Sequence, residues 1–285
     1  MRINIVHVGS VQWFNFKSDI ISGLYCALCD LGHEVAVTHN RVDPSQFNII
    51  IGADWVQTKE LVAQFANIPG GFAIFEIEHL RDSTVNNRTN FNWDLYLELT
   101  DAASFVFSPY LLNGRAFDKH GFGNKFAHFK WGFYPELVDA RYRSDQKKAY
   151  VCCFVGMAKG SRLTVLEAFF RRYGEQFQLV TISDPYCLKD FKLMQSRWGL
   201  SLKNEADPVE SINPFRIFHH LANGLPVLAN HKDDPDGYSD FVVHQPTDSI
   251  VEFAGNDFTD RRKHWEDLAR SSLLTDNLRP IFGKI

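Results

Sequence analysis

Three cations are spaced as an anion site would need them. Lys159 and Arg162 fall in the short turn that follows the apolar run Tyr150 to Val155, and Arg216 falls in the first turn of a helix that Asn213 and Pro214 begin. A diphosphate is held by cations and by backbone N–H groups with no helical partner, and Lys, Arg and a helix start supply both. A second constellation, Glu76, Glu78 and His79, closes another apolar run and offers groups that could take a proton. His7 and Ser10 stand at the end of a third run.

Other patterns carry less chemistry. Cys26 and Cys29 form a CxxC late in a helical stretch, where thiolates are not favoured, and no second CxxC completes a zinc site. Asp234-Pro235-Asp236 has the letters of a metal-holding DxD, but it lies late in the chain in a Gly- and Pro-containing loop and reads as a solvated turn. His219 and His220 are neighbours on a helix and point about 100° apart, a poor chelate. No metal site is therefore expected. The first turn has only Gly9, so the GxGxxG of a dinucleotide site is missing.

The elements that must position these residues can be read from periodicity. Arg2 to Val8 is a strand, Gly9-Ser10 a turn, Phe16 to Leu31 a helix and His33 to Thr38 a strand, a βαβ opening. Strands follow at Phe47 to Gly52, Phe72 to Glu76, Ser104 to Phe107 and Lys125 to Lys130, giving about six in a first sheet. Arg81 to Asn92 reads as a long polar loop. Tyr150 to Val155 restarts the pattern of strand, Gly turn and helix. A helix is expected over Tyr186 to Trp198 and another over Asp260 to Leu274. The densest stretch is 211–230: Asn213 caps, Pro214 occupies the first helical position, Gly224 stops the helix, and Val227 to Ala229 is a buried strand. On that helix Phe215, Phe218, Leu221 and Ala222 would face the core, leaving Arg216, His219, His220 and Asn223 largely on the other side.

The fold class expected is α/β, two Rossmann-like domains facing a central cleft, with domains at 1–137 and 149–270 and a tail at 271–285 that packs back on the first. In such sheets ligands sit beyond the C-terminal strand ends. A net charge of −4, from 30 basic and 34 acidic residues, argues against a nucleic-acid partner. No apolar run approaches the roughly eighteen residues of a membrane helix. With five cysteines and no signal-peptide pattern at the start, the expected location is the cytoplasm.

The second half resembles the C-terminal domain of GT-B glycosyltransferases, in particular group 1 and the CgeB-like branch. The likeness lies in FVGMAKGSR and in NPFRIFHHLANGLPVLAN, whose block Ala222 to Val227 is its most specific part. AIFEIEHL, FSPYLLNGRAFDKHGF and HFKWGFYPEL extend it weakly into the first half. The resemblance implies transfer of a sugar from a nucleotide diphosphate donor to an unidentified acceptor, without a metal or other cofactor. It implies donor contacts at Gly9, Ser10, Gly156, Lys159, Arg162, Ser211, Asn213, Phe215, Arg216 and His219, and a catalytic base among His79, Glu78 and Glu76. Many group 1 enzymes have two Glu residues eight apart near this helix, and the matching positions here are Ser211 and His219. That departure favours, as alternatives, a protein that binds a nucleotide sugar without reacting it; a nonhydrolysing sugar-nucleotide epimerase shares the same architecture.

Overall fold

The computed structural model describes residues 1–81, 83–85, 91–138, 148–181, 183–184, 186–203, 212–231, 234–257 and 261–283. The chain divides into two compact units, Met1–Lys130 with Leu274–Ile285, and Trp131–Leu273.

In the first unit the elements run β1 (Arg2–His7), α1 (Val11–Phe16), α2 (Ser18–Asp30), β2 (Glu34–His39), β3 (Phe47–Ile51), α3 (Lys59–Ala66), β4 (Phe72–Phe75), the two-residue strands β5 (Leu80–Arg81) and β6 (Thr84–Val85), α4 (Trp93–Ala102), β7 (Phe105–Ser108), α5 (Leu111–Lys119) and β8 (Phe126–His128). Among the described residues these strands form a parallel sheet in the order β2-β1-β3-β4-β7-β8, with β5 and β6 a separate antiparallel pair. The central strands β3 and β4 are buried along nearly their whole length, as expected of a parallel sheet covered on both faces. β2 and β3 flank β1 on opposite sides, with Ile3 paired to both Val35 and Phe47, so the strand order reverses beside β1. Such a switch point opens a crevice at the C-terminal strand ends.

The second unit contains β9 (Tyr150–Val155), α6 (Ser161–Tyr173), β10 (Phe177–Val180), α7 (Tyr186–Met194), β11 (Ser196–Ser201), α8 (Pro214–Ala222), β12 (Val227–Ala229), β13 (Val243–His244), α9 (Ile250–Phe253) and α10 (Arg262–Arg270). Its described strands form a parallel sheet in the order β10-β9-β11-β12-β13, with its own switch point between β9 and β11. The last helix, α11 (Leu274–Phe282), belongs to the first unit, where it packs on α2. Phe282 is fully buried there, its ring 5.3 Å from that of Phe107 and 5.8 Å from that of Phe105.

Several sequence expectations change. Residues 11–16 form a helix of their own ahead of α2, because the Ser10 side chain accepts the Trp13 N–H and starts it. The helix expected over Tyr186 to Trp198 ends at Met194, and residues 196–201 form β11, pairing Trp198 with Cys152. Alternating Ser196, Trp198 and Leu200 carry the strand period, and strand pairing outweighs the helical run before them. The first domain was expected to end at 137; the compact units part at 130, because Trp131 donates its N–H to Tyr238 Oη at 2.6 Å and the Leu137 carbonyl accepts Asn223 Nδ2 at 2.9 Å. Part of the expected loop over 81–92, namely 82 and 86–90, lies outside the described residues.

Candidate functional site

In the second unit the switch point gathers the cations. β9 ends at Val155, and Gly156 follows with φ of +148°, a backbone region that side chains rarely adopt. A Cβ on Gly156 would stand 2.6 Å from an Arg216 guanidinium nitrogen and 3.2 Å from the Phe154 ring. Glycine here leaves the guanidinium room to cross the strand end. Arg216 lies over the Phe154 ring at 5.1 Å and Arg162 lies over the same ring at 5.5 Å. Arg162, in the first turn of α6, donates from Nε to the Leu202 carbonyl at 3.0 Å and from Nη1 to the Met157 carbonyl at 3.2 Å, which fixes its fork. Asn213 caps α8 by accepting the Arg216 N–H at 3.3 Å, and Pro214 opens the helix.

Three residues that motif reading passed over complete this edge. Lys203 follows β11, His231 follows β12 and His244 ends β13. The Asn230 side chain accepts the Lys203 N–H at 2.7 Å and ties the first two loops together. His231 is 8% exposed, and its Nδ1 finds no partner among the described residues. Burial, followed by the positive charges of Lys203, His244, Arg162 and Arg216, pushes the His231 imidazole down to about 4. Burial is the larger cause, and the share contributed by the surrounding cations marks a positive field at the strand ends. Their position at a strand end, for His244, or two residues past one, for Lys203 and His231, was the available sequence signal.

The other donor-side candidates are placed differently. Lys159 is solvent-exposed in the turn before α6. Phe215 sets its ring edge-on to Trp131 at 4.8 Å. His219 is half-buried, and its carbonyl accepts Asn223 Nδ2 at 2.9 Å. His220 and Asn223, expected on an exposed polar face with His219, are buried. The His220 ring covers Gly199 of β11, where a Cβ would come within 2.3 Å of it, and burial pushes its imidazole down to about 3. α10 and the turn at Pro135–Leu137 pack on α8, so the side that reads as polar in sequence is largely covered. Ser211 lies outside the described residues.

Gly9 and Ser10 belong to the first unit. Gly9 exchanges two 2.9 Å hydrogen bonds with the Asn40 side chain, and Ser10 caps α1. The same unit holds a buried polar cluster beyond β4. Glu76 is 2% exposed; one oxygen accepts the Glu78 N–H at 2.8 Å and the other accepts Tyr96 Oη at 2.5 Å. Burial and the Asp54 charge push its carboxyl up to about 8. Glu76 therefore faces inward as an acid that retains its proton. Glu78 accepts from Lys17 Nζ at 2.8 Å. Burial opposes the Lys17 charge, yet Glu78 and Asp54 hold its pKa above the ordinary lysine value. His79 is half-buried against Tyr110, with ring centres 3.9 Å apart. Glu78 and His79 thus share one strand end, with Glu76 behind them.

Among the described residues no group of His, Cys, Asp and Glu is arranged to hold a metal ion, and no helix is long and apolar enough to cross a membrane. Asp234 instead closes its own turn, its carboxylate accepting the N–H groups of Asp236 and Tyr238.

No protein-family model matches the chain, and no curated protein matches it. Solved structures do. AviGT4, a glycosyltransferase involved in avilamycin A biosynthesis, is 12% identical over 99% of this chain and 96% of its own, with a TM-score of 0.60. An α-glucosyltransferase in complex with UDP and a 13-mer DNA is 11% identical over 98% of this chain and 95% of its own, with a TM-score of 0.55. The UDP-GlcNAc 2-epimerase from Neisseria meningitidis, bound to UDP-GlcNAc, is 10% identical over 100% of this chain and 99% of its own, with a TM-score of 0.52. The chain shares their fold, the α/β GT-B class built of two Rossmann-like domains.

Proposed function

We propose that the protein is a glycosyltransferase that moves a sugar from a nucleotide diphosphate donor to an acceptor, without a metal, and that the second unit holds the donor diphosphate. The observation that carries this reading is the pair of guanidiniums, Arg162 and Arg216, set over Phe154 around a glycine at the β9 switch point. When the sugar leaves, negative charge grows on the departing diphosphate. Guanidiniums already fixed by carbonyl bonds and by the ring beneath them stabilise that charge without reorganising. Lys203 extends the same field, and the exposed Lys159 adds a further cation. The motif likeness of FVGMAKGSR and of Ala222 to Val227 to group 1 enzymes supports the same assignment.

An acceptor hydroxyl needs a base if the anomeric centre inverts. His79 and Glu78 are the proposed groups, and Glu76 and Lys17 are proposed to fix the Glu78 backbone and carboxylate. Incubation with a panel of UDP-, GDP-, ADP- and dTDP-sugars tests the reading. The expected result is a raised melting temperature with one donor class and release of free nucleoside diphosphate. Saturable binding with no release would make the protein a binder. Conversion of the donor sugar with the nucleotide still attached, and no acceptor present, would make it an epimerase.

A further inference from the structure

The second unit carries an apolar groove that this chemistry does not use. It has a volume of about 550 Å³ and lies between α6 and the edge strand β10, lined by Leu163, Leu166, Glu167, Phe170, Arg171 and Leu179 among others. Phe170 is 63% exposed and Leu163 is 44% exposed, so two large apolar side chains meet water on a helix that otherwise buries Val165, Leu166 and Phe169. Two such side chains beside one groove offer a small apolar contact to a partner.

The charges in the groove indicate what covers it. Glu167 and Arg171 stand one turn apart, yet they form no ion pair with each other: among the described residues the Glu167 carboxylate has no partner, and Arg171 Nε reaches the Glu167 carbonyl at 3.4 Å. A patch bearing one charge of each sign at this spacing complements its own two-fold image. If two α6 helices cross antiparallel with the axis near residue 169, Glu167 of each meets Arg171 of the other, giving two pairs by symmetry. Each Phe170 then enters the opposite groove against Leu163, Leu166 and Leu179.

We propose that the α6–β10 groove is the interface of a two-fold homodimer of this chain. The proposal is independent of the donor chemistry. Sedimentation equilibrium of the full chain tests it, with circular dichroism to confirm that each variant folds. The wild type should show twice the chain mass, and Phe170→Asp should be monomeric. Glu167→Arg and Arg171→Glu should each weaken association about tenfold or more, since each replaces two attractive pairs by two repulsive ones. The double variant Glu167→Arg/Arg171→Glu should restore the dimer. A wild type that stays monomeric at every concentration reached, a dimer that survives Phe170→Asp, or single reversals that the double variant does not rescue would each overturn the assignment.

Discussion

At the scale of single residues, the chain separates groups that hold charge from groups kept neutral by burial. Lys17 keeps its charge through the Glu78 carboxylate, and the permanently charged guanidiniums of Arg162 and Arg216 rest on the Phe154 ring, that of Arg162 also on two carbonyls. Glu76 and three histidines are kept neutral, and this shapes stability against pH. The Glu76 carboxyl is raised from 4.5 to about 8, so between those values the folded chain holds a proton that the unfolded chain has released. That contribution is complete below about 4.5 and is lost as pH rises through about 8. His7 and His231, lowered to about 4, and His220, lowered to about 3, act in the opposite sense. There the unfolded chain binds the extra protons, and stability is lost as pH falls from about 6.5. Melting temperature should therefore peak near neutrality. In Glu76→Gln the decline between pH 6.5 and 8 should flatten while the acid-side loss stays, and equal slopes in both proteins would contradict the placement of that proton.

At the scale of elements, much was legible because local signals and tertiary demands agreed. Asn213, Pro214 and Gly224 punctuate α8 as their types require, and the apolar runs of β1, β3, β4 and β9 become strands. What failed did so where a neighbouring element decided the outcome. His220 and Asn223 read as a polar face, but His220 lays its ring on Gly199 and Asn223 bonds the Leu137 carbonyl, and a histidine on a helix gives no sign that a glycine on the preceding strand β11 makes room for its ring. Lys17, Asp54 and Tyr96 were invisible as a cluster because only the fold brings them to Glu76 and Glu78. Arg162 and Arg216 were legible because each lies in the first turn of a helix that follows a strand. The tail at 271–285 was expected to pack back on the first domain, and residues 274–285 do group with the first unit, though as the helix α11, which periodicity had not assigned. With Phe282 fully buried between α2 and the Phe105 and Phe107 rings, Phe282→Ala should destabilise the chain by about 3–5 kcal/mol in denaturant unfolding. A loss within a few tenths of a kcal/mol would show that α11 is not part of that core.

At the scale of the whole molecule, the same device appears twice: a parallel sheet whose order reverses beside its first strand, with polar groups gathered where the strands end. The two ends differ in character. The first carries a buried acid–base cluster around Glu76, Glu78 and Lys17, and the second carries cations around Gly156. The proposed function asks the second end to stabilise the charge of a departing diphosphate. It rests most heavily on Arg216, whose guanidinium occupies the space that Gly156 leaves. The direct test is calorimetric titration of UDP, GDP, ADP and dTDP into the wild type and into Arg216→Ala. One nucleoside diphosphate should bind the wild type and lose about a hundredfold in affinity in the variant, roughly 2.7 kcal/mol for a charged contact in a site of this kind, with the melting temperature of the free protein little changed. Equal affinity in the two proteins, or no binding of any nucleoside diphosphate to the wild type, would contradict it.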